Sequence, residues 1–260
     1  KSAVTLPRTN HTVTTWVLFT DKNSANWKNA NRYINDALFY YSKWNGDYPY
    51  NQCTAVDGAL TAGGGMEYPN ITVIGEVRSA YTLETVIMHE VGHNWFYGML
   101  GSNERLYPWM DEGINSYNEL RYQETKYPNK TLLGDTSKPS PFARLVDVTR
   151  YKQKAQYYQL TALTCRQHTD QPIGLNAADY TELNYGAIVY SKSAAVFDYL
   201  RGYLGDELMD KCMQTYFERW KFKHPQPADL RRVLEEVSGK NLAWLFDELI
   251  PTTKKLDYKI

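Results

Sequence analysis

The sequence predicts an α+β fold, with a small β-sheet lobe over about residues 1–80 packed on a larger, mostly helical lobe over about 81–250. Three observations carry that expectation. Strand-like segments rich in β-branched and aromatic residues fall in the first quarter of the chain. Beyond Thr82, apolar residues recur at helical spacing. The 260 residues are 43% hydrophobic and 22% charged, the balance of a chain that buries a core. At this length one domain, or two subdomains about a cleft, is expected, with the cleft at the junction near residue 80.

The segment 12–20 (TVTTWVLFT) alternates as a strand does. Over 26–43, Trp27, Ala30, Ile34, Ala37, Leu38 and Tyr41 fall at helical spacing, and Gly46 supplies a stop. ITVIGEV at 71–77 reads as a second strand. Helices then follow at about 83–100, 111–126, 142–167, 190–204 and 207–221. Pro227-Ala-Asp opens another near 230–237, closed by Gly239, and Asn241 opens the last, to about 250. The loops at 127–141 and 169–182 carry Pro, Gly, Asn and Asp. The closing TTKKLDYKI alternates Leu256, Tyr258 and Ile260 like a strand just begun, and Lys1 opens the chain with neither Met nor a signal-like segment. The whole therefore reads as one excised domain over 1–260, with 251–260 beginning a linker or a next domain.

Composition removes several function classes. Lys and Arg number 29 against 29 Asp and Glu, so no excess of basic charge is available for nucleic acid or an anionic membrane. No apolar run reaches the roughly 18 residues of a membrane span, since VIMHEVGHNWFYGML is interrupted by His, Glu and Asn. Cys53, Cys165 and Cys212 allow at most one disulfide and contain no C-x-x-C pair, so they read as buried small apolar residues.

Chemistry is concentrated in one segment. His89-Glu90-Val91-Gly92-His93 is an H-E-x-x-H sequence inside an apolar helix. Four residues is just over one turn, so both histidines share a face and reach one metal ion, with Glu90 beside it to act on water. By residue frequencies such a segment arises by chance in roughly one chain in 200, a real false-positive risk for a motif alone. A catalytic zinc needs a third protein ligand and one open position. Glu112, in WMDEG at the start of the next helix, is placed to supply that ligand. Glu119, two turns further on, lies on nearly the same face, where a carboxylate orients a ligand imidazole.

These residues resemble the gluzincin zinc aminopeptidases of the aminopeptidase N family. HEVGHNWFYG, the eighteen-residue spacer and WMDEGINSYNE carry the resemblance. Gly64-Gly65-Met66-Glu67-Tyr68-Pro69-Asn70 is similar to that family's G-x-M-E-N element. Tyr185 and Tyr190, in YGAIVYSKS, resemble its paired tyrosines, and the late NLAWLFDELI looks like the end of its catalytic domain. Three departures stand out. Tyr68-Pro69 intervenes before the Asn, Tyr97 interrupts W-F-G, and Ser193 replaces the Gly of Y-x-K-G.

The resemblance implies a thermolysin-like domain and one Zn2+ per chain, bound by His89, His93 and Glu112. It implies Glu90 as general base, Tyr190 as donor to the oxyanion with Tyr185 near it, and Glu67 as the acceptor of a substrate's α-ammonium. Gly64, Gly65 and Met66 would pair their backbone with a peptide carrying a free N-terminus. It further implies N- and C-terminal domains beyond this chain. With the Asn/Thr/Tyr-rich composition it favours an exported location, periplasmic or at the cell surface. Two alternatives stay open: a zinc endopeptidase of thermolysin type, and a non-catalytic relative serving as a scaffold module.

Overall fold

The computed structural model describes residues 1–60, 64–131, 134–135 and 151–254, the backbone alone at 134–135. The first part of the expected 142–167 helix, 142–150, and the alternation at 256–260 lie outside them, and the described part of that helix runs Ala155–Arg166. The described chain is α+β and divides into two compact units. One comprises Lys1–Asn103 and Leu204–Lys240; the other comprises Glu104–Tyr203 and Asn241–Ile260.

The first unit is built on a five-stranded mixed sheet. Its strands are β1 (Ser2–Thr5), β2 (Thr12–Leu18), β3 (Gln52–Asp57), β4 (Gly65–Met66) and β5 (Ile71–Ile74), in spatial order β1-β2-β3-β5-β4. β2, β3 and β5 run parallel, Thr15 pairing with Cys53 and Ala55 with Thr72, and antiparallel β1 and β4 close the edges. A parallel β2–β3 pair needs a crossover, and the chain supplies it with α1 (Ser24–Trp27) and α2 (Ala30–Asn45). Ala30, Ile34, Ala37, Leu38 and Tyr41 are fully buried on α2, so the expected apolar face is the face that packs on the sheet, on α3 (Ala80–Gly92) and on the later helix Asp206–Trp220. Gly46 ends α2 at φ +138°, and a Cβ there would lie 2.2 Å from the Phe217 ring. Its carbonyl accepts the Trp95 indole N–H at 2.7 Å. This stop is therefore also a packing requirement.

Helix α3 ends earlier than its apolar period. Val91, Trp95 and Met99 are all buried, which is why 83–100 reads as one helix, yet the helix proper stops at Gly92. Beyond it Gly98, Met99 and Leu100 donate N–H to the carbonyls five residues back, those of His93, Asn94 and Trp95, at 2.9, 3.0 and 2.9 Å. The wider turn keeps the apolar side chains inward while redirecting the backbone.

In the second unit a π-helical turn, Trp109–Gly113, runs into α4 (Ile114–Lys126), followed by the hairpin of β6 (Lys130–Thr131) and β7 (Gly134–Asp135). Next come α5 (Ala155–Arg166) and a short turn Glu182–Asn184. A π-helical stretch, Tyr185–Lys192, then continues into α6 (Ser193–Leu204). Helix α7 (Asp206–Trp220) and α8 (Pro227–Ser238, ended by Gly239 at φ +66°) belong to the first unit, and the π-helical turn Trp244–Leu249 to the second. Trp109, Tyr117 and Phe197 form the aromatic centre of the second unit, Trp109 stacking on Phe197 at 6.1 Å.

Beside that centre lies a polar network. Glu124 receives Lys154 at 2.6 Å and Arg201 at 2.6 Å, and Arg201 and the Tyr158 hydroxyl both reach Asp198. Burial alone would raise the Glu124 carboxyl, but the bonds from Lys154 and Arg201 outweigh it and hold Glu124 below its ordinary range. A lowered folded-state value contributes stability above the unfolded value of about 4.3, lost as pH falls through the folded value. In urea unfolding, Glu124→Gln should therefore be less stable than wild type at pH 7, and the gap should close as pH drops below about 4. A gap that stays constant with pH would show that Glu124 is not ionised in the folded chain.

Candidate metal centre

The H-E-x-x-H segment forms the last turn of α3 and, at His93, its C-cap. Ser79 caps the helix start by accepting the Thr82 N–H, and the helix presents His89 and His93 on one face. Their Nε2 atoms lie 3.2 Å apart, with the rings 4.8 Å apart and nearly perpendicular at 82°. A tetrahedral zinc bound at about 2.0–2.1 Å places two ligand nitrogens about 3.3 Å apart, so this pair fits the metal without rearrangement. His93 is buried, and its Nδ1 lies 3.3 Å from the Phe96 carbonyl. A carbonyl only accepts, so Nδ1 carries the proton and Nε2 keeps the lone pair that a metal takes.

Glu90, 6% exposed, turns towards strand β4. A Cβ at Gly65 would lie 2.4 Å from the Glu90 carboxylate, so the bare backbone at Gly65 makes room for it. Ligand atoms of Glu67, Glu90 and His93 lie within 4.8 Å of one another. Two carboxylates this close repel unless a cation lies between them, whether a metal or an ammonium group. The segment that carries Glu67 is held on both sides. Gly64, at φ +68°, accepts the Gly75 N–H at 2.8 Å, and the Met66 carbonyl accepts the Thr72 hydroxyl at 3.0 Å. On the far side Asn70, at φ +63°, donates its N–H to Asn94 Oδ1 at 2.9 Å, and the Asn94 amide donates to the Val91 carbonyl at 2.9 Å. Tyr68 sits in an exposed turn, so the two extra residues lengthen the loop without removing Glu67 from the group.

Glu112, Glu119, Tyr185 and Tyr190 belong to the second unit. Glu112 is half-buried in the π-helical turn Trp109–Gly113. Tyr190 hydrogen-bonds to it, and burial first, then this carboxylate, push the Tyr190 hydroxyl well above its ordinary value. Tyr185 is raised for the same reasons, and the two rings lie 6.0 Å apart. Both phenols are therefore proton donors throughout the neutral range. The π-helical stretch makes this pairing: residues five apart would diverge by about 140° on an α-helix, whereas i→i+5 bonding brings them onto neighbouring faces. A Cβ at Gly113 would lie 2.5 Å from that of Ser193, so Ser193 is buried against a residue that has no side chain of its own. Glu119 accepts the Tyr157 hydroxyl at 2.5 Å and the Gln123 amide at 3.0 Å through one carboxylate oxygen.

Asn94 was not legible from the sequence, although its position next to the second histidine was a usable signal. Asp170 gave no local signal. It pairs with the nearly buried Lys192 at 3.7 Å and accepts the Cys165 thiol, fixing the end of the tyrosine-bearing stretch. All three cysteines are free thiols.

The model of the Peptidase family M1 domain matches residues 29–249. Aminopeptidase N of Streptomyces lividans is 29% identical over 181 residues, covering 65% of this chain and 18% of its own length. Aminopeptidase M1-C of Oryza sativa subsp. japonica is 23% identical over 235 residues, covering 85% of this chain and 24% of its own. Among solved structures, the M1 zinc metallopeptidase from Deinococcus radiodurans superposes with a TM-score of 0.70 at 16% identity, covering 99% of this chain and 52% of that one. Legionella pneumophila aminopeptidase A in complex with aspartic acid superposes with a TM-score of 0.72 at 15% identity, covering 96% and 27%. The chain thus spans about a fifth to a quarter of the length of these curated relatives. Among the described residues no helix is long and apolar enough to cross a membrane.

Proposed function

The chain belongs to peptidase family M1, and on that footing we propose that it is the catalytic domain of a zinc-dependent aminopeptidase, hydrolysing the N-terminal residue from peptides. The metal ligands are His89, His93 and Glu112. The preset 3.2 Å separation of the two Nε2 atoms supports the first two, and the sequence spacing supports the third. A zinc ion held there supplies Lewis acidity, lowering the pKa of water towards 7 and polarising a peptide carbonyl. Glu90 takes the proton of the attacking water on its carboxylate and passes it to the leaving amine. The Tyr190 hydroxyl donates to the carbonyl oxygen as negative charge develops on it, and its raised pKa keeps that proton in place. Tyr185 packs beside it, and Glu119 orients a ligand imidazole.

The observation that carries the exopeptidase reading is the approach of Glu67 to Glu90 and His93. A carboxylate there accepts charge-assisted hydrogen bonds from a substrate's α-ammonium and so fixes the scissile bond one residue from the N-terminus. Gly65 and Met66 form the edge strand of the sheet, with Gly64 just before it, and the outer side of that strand offers backbone groups to a peptide running alongside. A thermolysin-type endopeptidase has no use for Glu67 at this point. Glu67→Ala should lower kcat/KM for substrates with a free N-terminus by about 100-fold, the loss expected when one partner of a charge pair that substrate shields from water is removed. Hydrolysis of N-acetylated peptides should stay at its low basal level. If the variant processes free and blocked substrates as wild type does, the ammonium site is not Glu67.

A further inference from the structure

The backbone just beyond the metal helix holds a residue in a conformation that its side chain opposes. Tyr97 has φ +91°, a region glycine enters readily and a β-carbon resists. The turn around it is fixed by the bonds from Gly98 to His93 and from Met99 to Asn94, and by that of the Tyr97 N–H to the Leu100 carbonyl at 3.3 Å. Glycine does occur in this turn, one residue later, where a Cβ would lie 2.8 Å from the Asn94 carbonyl oxygen. A tyrosine at 97 is therefore not something the backbone asks for, and the surrounding bonds hold it there against that preference.

What that ring touches is a metal ligand. The Tyr97 and His93 rings meet edge to face, 6.4 Å apart at 83°. The His93 imidazole is flanked elsewhere by the His89 ring and by the carbonyl of Phe96, the residue immediately before Tyr97. One short turn thus delivers two restraints on one ligand, a carbonyl for Nδ1 and an aromatic edge for the ring.

We propose that Tyr97 is a positioning residue for His93, its ring holding the imidazole so that Nε2 stays paired with that of His89. This rests on the zinc reading above. The test is the zinc dissociation constant of metal-free protein, measured by competition with a fluorescent chelator, for wild type, Tyr97→Phe, Tyr97→Ala and Tyr97→Gly. Glycine suits the backbone at this position, so that variant keeps the turn while losing the ring. The Ala and Gly variants should bind zinc about 10-fold more weakly, the usual scale for losing a group that orients a ligand, and Phe should stay within about twofold of wild type. Ala and Gly variants that bind as tightly as wild type would overturn the proposal, as would a Phe variant as weak as Ala. A wild-type chain that takes up no zinc would overturn the metal reading, and this inference with it.

Discussion

Glu90→Gln should leave the chain with about one zinc and a normal unfolding transition while lowering kcat by about 1,000-fold. The magnitude follows from the role: a positioned general base contributes about 100- to 10,000-fold. Glutamine has the same shape, so it preserves the packing of residue 90 against the bare backbone of Gly65, and only the ability to take a proton is lost. The substitution also removes one of two carboxylates that lie close to His93, so the folded chain should be no less stable than wild type in metal-free buffer. Turnover with a dipeptide amide, zinc by elemental analysis and a thermal melt on the same preparation read the three effects separately. A variant that retains a tenth or more of wild-type kcat would remove Glu90 from the chemistry. A variant that loses zinc would instead make its carboxylate part of the metal site.

The reach of the sequence can be judged from particular elements. The helix that carries His89 and His93, the pairing of their rings and the closeness of Glu67 to Glu90 and His93 were legible because each rests on a local pattern: four residues for one helical turn, or a run of glycines before a carboxylate. Strand β3 was not legible. Cys53, Thr54 and Ala55 are buried in succession at the middle of the sheet, so QCTAVD shows none of the alternation by which a half-exposed strand betrays itself. β1 and β4 are too short to carry a period at all.

The helix ends were misjudged for a different reason. At 93–100 and again at 185–192 the backbone changes to i→i+5 bonding while the apolar side chains stay buried, and hydrophobic spacing cannot distinguish that from a continuing α-helix. Both departures occur beside candidate site residues, one shaping the surroundings of His93 and the other setting Tyr185 beside Tyr190. The return of residues 204–240 to the unit of the first hundred residues is likewise a long-range outcome, made by Phe217 against Gly46 and by the Gln214 amide on the Lys43 carbonyl at 2.8 Å.

Glu112→Ala should abolish stoichiometric zinc. A pair of imidazoles four residues apart makes a weak site alone, and a third anionic ligand is what converts it into one that holds zinc at neutral pH. With only His89 and His93 left, zinc should wash out on dialysis, from about one per chain in wild type to well below half. Glu112 also carries the Tyr190 hydrogen bond, so its removal frees that phenol from the carboxylate that raises it, and activity should not return when excess zinc is added. Glu119→Ala is the informative companion. One Glu119 oxygen is engaged by Tyr157 and Gln123, so its loss should disturb α4 and reduce zinc affinity by about 10-fold at most, without emptying the site. If Glu112→Ala retains full zinc while Glu119→Ala loses it, the ligand set is His89, His93 and Glu119. The WMDEG segment then serves to hold Tyr190 rather than the metal.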